Sequence, residues 1–392
     1  MIDYSSLISK KASEIKPSGI RKFFDVANTI EGAISLGVGE PDFRTPWQVR
    51  RAGITSLERG KTFYTSNWGL PELRRLIAGY AQEKYDLTYD PKNEIIVTVG
   101  GSEAIDNAIR AYVDPGDEVL IPEPSFVCYT PLAQMAGATA VPLPTYEKDS
   151  FKLTAETLKA AITPRTKILI MPYPNNPTGA IMTREDLEAI AAVIRDTNIL
   201  VISDEIYCEL TFGGLKHVCF AELPGMRERT LVINGFSKSY AMTGWRLGWV
   251  MGPREMLKPI IKIHQFGIMS APTVSQFAGI EAMKSGEPDI AYMREQYDLR
   301  RRFMLSGLRS MGLSCFEPQG AFYIFPSIKS TGMDDEEFCE KLLYAKKVAI
   351  VPGSAFGESG RGHVRISYSY SMKHLEMALE RMEEFLKEIG CL

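Results

Sequence analysis

The run Thr230-Leu-Val-Ile-Asn-Gly-Phe-Ser-Lys238-Ser-Tyr-Ala-Met-Thr-Gly-Trp-Arg246-Leu-Gly248 passes from a short apolar stretch into small and polar residues. Thr230 to Asn234 reads as a buried strand. The polar segment after it occupies the place where an α/β sheet binds ligands, the crevice beyond the carboxyl ends of its strands. Four further runs share the strand character: Glu94-Ile-Ile-Val-Thr-Val-Gly100, Glu118-Val-Leu-Ile121, Lys167-Ile-Leu-Ile-Met-Pro172 and Ile199-Leu-Val-Ile-Ser203. They are apolar on both faces and separated by amphipathic stretches, which predicts a covered, mostly parallel sheet. The fold class is therefore α/β. Thr183 to Arg195 sets Leu187, Ile190, Ala191 and Ile194 on one face behind a Thr183-x-x-Asp186 capping start, the pattern of a crossover helix.

From about Asp289 the pattern changes. A long charged helix around Met293 to Met311 leads to Gly320-Ala-Phe-Tyr-Ile-Phe325, then to a helix near Asp335 to Ala345. The closing stretch from Lys373 to Ile389 carries Leu375, Ala378, Leu379, Met382 and Leu386 at helical spacing. These elements predict a second, smaller α+β layer. A chain of 392 residues exceeds one ordinary core. The expected division is a large domain over residues 45–290 and a small one made of residues 1–44 with 291–392.

Composition narrows the function. Lys plus Arg number 45 against 48 Asp plus Glu, and a net charge of −3 offers no field for nucleic acid or an anionic membrane. The expected partner is a small molecule. Residues 1–17 lack the apolar stretch of a signal peptide, and no apolar run reaches bilayer length. The six cysteines (Cys128, Cys208, Cys219, Cys315, Cys339 and Cys391) form no C-x-x-C pair, and the four histidines show no ligand spacing. They read as reduced thiols in a cytoplasmic protein, with no metal site expected.

The chemistry gathers at strand ends. Lys238 alone would be a surface lysine, but an amine in a desolvated crevice near the second cation Arg246 has a lowered pKa, as a carbonyl-condensing lysine requires. Arg246 can present a fork of donors to a phosphate dianion. Ser203-Asp204-Glu-Ile-Tyr207 ends another strand. A carboxylate there can keep a pyridine nitrogen protonated while a phenol bonds a ring hydroxyl; the plain alternative is a helix-capping acid and a core tyrosine. Asn176, in Pro172-Tyr-Pro-Asn-Asn176-Pro-Thr-Gly179, can aim its amide at the same hydroxyl, or simply belong to a βα loop. Gly100-Gly101-Ser102-Glu103 opens a helix whose free N–H groups can cradle phosphate. It is neither G-x-G-x-x-G nor a Walker loop, which disfavours a nicotinamide dehydrogenase or a nucleotide-triphosphate enzyme. Phe126 can stack on a flat heterocycle or fill core. Arg365, between Val364 and Ile366, can pair with an acid or grip a substrate carboxylate.

Taken together these residues resemble the fold-type-I aminotransferases of class I/II, in the subgroup that contains bacterial aspartate and aromatic amino acid aminotransferases. The resemblance covers nearly the whole chain. It rests on Ser35-Leu-Gly-Val-Gly39-Glu-Pro-Asp-Phe43, Tyr64-x4-Gly69-Leu-Pro-Glu-Leu-Arg74, Asn176-Pro-Thr-Gly179, Ser203-Asp204-Glu-Ile-Tyr207, Ser237-Lys238-Ser, Met242-Thr-Gly-Trp-Arg246 and Val364-Arg-Ile366 occurring in order.

The resemblance implies pyridoxal 5'-phosphate as cofactor, held by Lys238 as a Schiff base. It gives Asp204 to the ring nitrogen, Tyr207 and Asn176 to the ring oxygen, and Phe126 to the ring face. Gly101, Ser102, Ser237, Arg246 and, from a neighbouring subunit, Tyr64 would hold the phosphate. Gly39 through its backbone, Asn176 and Arg365 would bind the substrate carboxylate, in a homodimer with shared sites. The implied reaction is ping-pong transfer of an amino group between an L-amino acid and a 2-oxo acid. Two departures stand out. Gly235 replaces a phosphate-binding hydroxyl found in many relatives, and no arginine lies between Arg254 and Arg294, where some dicarboxylate-specific relatives carry one. The donor is thus expected to be aromatic, otherwise apolar, or aspartate, with Ile20, Phe24 and Arg21 as candidate contacts. The same framework also serves carbon–sulfur β-lyases, decarboxylases and non-catalytic binding proteins.

Overall fold

The computed structural model describes residues 2–15, 17 and 29–392. The twelve strands among the described residues are β1 (Ile34–Ser35), β2 (Ile95–Thr98), β3 (Glu118–Glu123), β4 (Thr139–Pro144), β5 (Thr166–Met171), β6 (Leu200–Asp204), β7 (Thr230–Gly235), β8 (Gly248–Met251), β9 (Tyr323–Ile324), β10 (Val348–Ala349), β11 (Val351–Pro352) and β12 (Val364–Ser367). Seven of them build the main sheet in the order β2-β8-β7-β6-β5-β3-β4. β8 runs antiparallel to both its neighbours and every other pair is parallel. The mostly parallel sheet read from the sequence is present. β4 and β8 were not among the expected strands. β4 carries Pro142 and Pro144 on a sheet edge, where a missing N–H is harmless. β8 is only four residues long and directly follows the Lys238 loop.

Strand alternation divides the side chains between two covered faces. Ile168, Ile170, Ile202, Leu231, Ile233 and Val250 pack with Ala104, Ile105, Ala108 and Ile109 of the helix Gly101–Tyr112. Leu169, Met171 and Val201 face the opposite way, onto Leu187, Ile190, Ala191 and Ile194 of the helix Arg184–Ile194. The Thr183–Asp186 capping box that starts this helix is formed reciprocally. A sheet covered on both sides explains why its strands read as continuous apolar runs.

The smaller layer joins two distant parts of the chain. β1 pairs in parallel with β10, and β11, β12 and β9 form an antiparallel sheet. The helices Glu287–Ser310, Asp335–Lys346 and Met372–Glu388 cover them, burying Met304, Leu308, Leu342, Leu375, Leu379 and Met382 in one cluster. Gly307 lets two of these helices meet closely, because a Cβ there would fall 2.5 Å from Leu379 Cδ1. Residues 36–43 run from β1 across to the main sheet and complete the wall of its crevice, with Val38, Gly39 and Glu40 lining it.

Candidate active site

The strand ends converge on one cavity of about 480 Å³. Because β8 is antiparallel, the carboxyl ends of β2, β3, β5, β6 and β7 share one edge with the amino end of β8. Gly101 and Ser102 follow β2, Phe126 follows β3, Asn176 follows β5, Asp204 and Tyr207 come from the end of β6, Ser237 and Lys238 follow β7, and Arg246 precedes β8; all line the cavity. Gly39 and Arg365 enter from the smaller layer. Tyr64 does not line this cavity and is 81% exposed. Ile20, Arg21 and Phe24 lie outside the described residues.

Lys238 is largely enclosed. Its Nζ donates to the carbonyl of Gly39 at 2.5 Å and lies 5.9 Å from the centre of the Tyr207 ring. Burial pushes the amine down to about 8, and Arg365 and Arg246 act in the same direction against the carboxylates of Glu40 and Asp204. Such an amine can exchange a proton near neutral pH, which an exposed lysine cannot.

Asp204 is buried with both oxygens engaged. Oδ2 accepts the Tyr129 hydroxyl at 2.7 Å and Oδ1 accepts the Ile206 N–H at 3.3 Å. Burial raises its pKa, while those hydrogen bonds and Lys238 oppose the rise. Its neighbour Glu205 faces away from the cavity and pairs with His217 at 3.0 Å and Ser203 at 2.9 Å. Asp204 closes β6 and Glu205 is the next residue, so the alternation of side chains as the chain leaves the strand turns one acid to the cavity and the other to the interior.

An anion cradle forms where β2, β8 and a helix start meet. Gly100, at φ 79°, leaves the first N–H groups of the helix Gly101–Tyr112 free, and a Cβ on it would lie 2.8 Å from Arg246 Nη2. Gly248 packs against the same turn, where a Cβ would fall 2.7 Å from the carbonyl carbon of Gly100. Behind the turn, Glu103 is held by His264 Nδ1 at 2.6 Å and by Asn107 at 2.9 Å. The cradle suits a compact, strongly negative group.

Arg365 is 2% exposed and lies above the Tyr323 ring at 4.6 Å and the Phe356 ring at 4.8 Å. Nη1 donates to Asn176 Oδ1 at 2.9 Å, Nη2 donates to the Gly37 carbonyl, and Nε is buried without a partner among the described residues. A guanidinium with an unspent donor at the cavity wall can receive a carboxylate. Tyr323 and Tyr129 complete the lining, and sequence reading passed over both. Tyr129 falls three residues after Phe126 on a helical turn, a usable signal. Tyr323 sits in a run that reads only as strand. Among the described residues no cluster of His, Cys, Asp and Glu could hold a metal ion.

The sequence matches the model of the family described as aminotransferase class I and II over residues 31–382. The YugH protein of Bacillus subtilis (strain 168) is 51% identical over 382 residues, covering 97% of this chain and 99% of its own. The aspartate aminotransferase of Pyrococcus abyssi is 43% identical, with 97% and 98% covered. Among solved structures, the aromatic aminotransferase of Pyrococcus horikoshii superposes with a TM-score of 0.90 at 42% identity, covering 94% of this chain and all of that one.

Proposed function

The chain belongs to the class I and II aminotransferases and is an aminotransferase, and from that premise we propose that the cavity around Lys238 holds pyridoxal 5'-phosphate. The observation that carries the proposal is the meeting, in one cavity, of an amine whose pKa burial draws down to about 8 with the Asp204 carboxylate and two guanidinium groups, Arg246 and Arg365. The donor set fits the group. The glycine-bounded cradle of Gly101, Ser102 and Arg246, with Ser237 beside it, suits the phosphate, Asp204 the ring nitrogen, and Phe126 the ring face. Asn176 spends its amide oxygen on Arg365, so its N–H groups are available to the ring oxygen together with Tyr207.

When bound, pyridoxal 5'-phosphate supplies the carbonyl that accepts amino groups and an electron-withdrawing ring. The chain supplies the rest. Arg365, with Asn176 and the backbone of Gly39, holds the α-carboxylate of an L-amino acid and so sets its Cα near Lys238. Lys238 Nζ would take the proton from that Cα and deliver it to the bound cofactor instead of back to Cα, so that the first substrate leaves as its 2-oxo acid with its amino group left behind; a second 2-oxo acid takes that group in the other half-reaction. We assign the donor to the aromatic and other apolar amino acids. Val38, Ile105, Pro172 and Pro174 line the cavity, and its only cations among the described residues, Lys238, Arg246 and Arg365, already have tasks.

A homodimer completes this reading. Phe63, Tyr64, Phe266, Ile268 and Met269 are exposed, and hydrogen bonds from Thr273 to the Phe63 carbonyl and from Asn67 to the Met269 carbonyl tie them into one patch. An apolar patch of this kind suits burial against a second copy, and on this reading Tyr64 of the partner subunit joins the anion cradle. The proposed domains are residues 45–290 and residues 1–44 with 291–392, the strap 36–43 belonging to the smaller. No helix among the described residues is long and apolar enough to cross a membrane, and the six cysteines are free; both suit a cytoplasmic enzyme.

The test is a screen of amino donors against 2-oxoglutarate with wild type and Lys238→Ala. Aromatic or aliphatic donors should turn over with wild type and none with the folded variant. Retained turnover in Lys238→Ala sinks the site, and a stronger response to aspartate than to phenylalanine, tyrosine or leucine sinks the donor assignment.

A further inference from the structure

Tyr207, assigned to the cofactor's ring oxygen, already has a partner in this chain. Its hydroxyl lies 2.7 Å from that of Tyr323, both side chains are buried, and the rings meet edge to face. Tyr323 is itself held on several sides. Arg365 covers its ring, Phe322 packs beside it at 4.9 Å, and its hydroxyl abuts Gly39, where a Cβ would fall 2.1 Å from the phenol oxygen. Among the described residues neither hydroxyl has another hydrogen-bond partner.

Two hydroxyls that share one contact carry two hydrogens, so one hydrogen fills the contact and the other is left over. If Tyr207 donates, its oxygen offers the cavity only lone pairs. If Tyr323 donates, Tyr207 keeps its own hydrogen for the cavity. The guanidinium over the Tyr323 ring favours the second arrangement, because an electron-poor phenol is the better donor. Burial raises the pKa of both phenols, and after burial the largest influence on Tyr323 is Arg365, which opposes the rise.

We propose that Tyr323 is a positioning residue of the reaction: its hydroxyl donates to Tyr207 and thereby turns the Tyr207 hydrogen into the cavity, toward the ring oxygen. The inference rests on the cofactor reading of the site. It gives the close packing of Gly39 against Tyr323 a chemical consequence within this molecule, since the strap then presses on the phenol that orients Tyr207.

Tyr323→Phe keeps the ring beneath Arg365 and removes only the hydroxyl. In protein loaded with pyridoxal 5'-phosphate, the pH midpoint of the visible absorption should rise by about half a unit, roughly three-fold in proton affinity, as donation to the ring oxygen weakens. Tyr207→Phe should raise it at least as far, and Tyr323→Phe added to Tyr207→Phe should raise it no further. Gly39→Ala displaces the Tyr323 hydroxyl with both phenols present; it should shift the midpoint in the same direction, and it decides the matter if Tyr323→Phe does not fold. An unmoved midpoint, or an equal shift in the Tyr207→Phe background, overturns the inference and leaves the cofactor assignment standing. A wild-type protein without a borohydride-sensitive visible band overturns that assignment and this inference with it.

Discussion

Lys238 Nζ donates a hydrogen bond to the carbonyl oxygen of Gly39 across 199 residues of chain. The bond ties the loop after β7 to the strap 36–43, so the amine is gripped from both walls of the cavity. Its acceptor is neutral, and Arg365 and Arg246 both disfavour its charge. The resting protein therefore holds a cation where solvation is poor.

That arrangement has a cost that depends on pH. The pKa of Lys238 falls from 10.5 in the unfolded chain to about 8 in the fold. Below 8 both states are protonated and the full penalty applies, on the order of 3 kcal/mol. Between 8 and 10.5 the unfolded chain binds the extra proton, so stability rises with pH; above that range the penalty is gone. Lys238→Met in cofactor-free protein should thus be more stable than wild type at pH 7, with the gap closing as pH climbs from 8 toward 10.5. Urea denaturation at several pH values measures it, and a gap independent of pH would contradict the assignment.

Asp204 and Glu205 should separate function from stability. Asp204→Asn removes a buried charge and can still accept from Tyr129, giving up only the longer 3.3 Å contact from the Ile206 N–H, so the fold should hold while turnover drops by about 10²-fold or more, the scale of losing one electrostatic partner at a reacting centre. Glu205→Ala should cost about 1–3 kcal/mol of stability by leaving the Ser203 hydroxyl without its acceptor and the His217 imidazole without the acid 3.0 Å from it, with activity per folded molecule unchanged. Denaturation curves beside steady-state rates decide it; the reverse pattern would show that the wrong acid has been given to the cavity.

Arg365→Lys should raise KM far more than it lowers kcat. The planar fork now bonds Asn176 and Gly37 and still has Nε to offer, and an ammonium group cannot reproduce that geometry. Loss of charge-assisted bonds worth about 1.5–3 kcal/mol corresponds to roughly 10- to 100-fold in KM for donor and acceptor alike. Unchanged KM values for both substrates would remove Arg365 from the carboxylate site.

Gly235→Ser, which introduces the hydroxyl that the family resemblance leads one to expect at this position, should destabilise the protein without tightening the cofactor. A Cβ at Gly235 would lie 3.0 Å from the Leu247 carbonyl, 3.1 Å from Gly248 Cα and 3.1 Å from Ile206 Cδ1. Two of those neighbours are backbone of β8 and its approach and cannot yield cheaply, so overpacking of about 1–3 kcal/mol is expected. A lower Tm with an unchanged or weaker Kd for pyridoxal 5'-phosphate is the predicted pair. Tighter binding at an undiminished Tm would show that the hydroxyl fits after all.

What the amino-acid sequence determined by itself was whatever depends on a short window. Strand alternation, the Thr183 capping box and the apolar face of Met372–Glu388 all lie within about two turns or one strand length, and they appear in the fold where that spacing places them. Lys238, Asp204, Asn176 and Arg365 were legible because polar groups at strand ends are out of place in a core. The four-residue β8 was not, since nothing local marks an antiparallel reversal; yet that reversal brings Arg246 to the edge where β2 ends. Nor could any window reveal that Tyr129 reaches Asp204 across 75 residues, that His264 reaches Glu103 across 161, or that Tyr323 meets Tyr207 across 116. Those pairs depend on how layers cross, and burial then makes them count, because a polar group cut off from water must find its partner wherever the tertiary structure has put one.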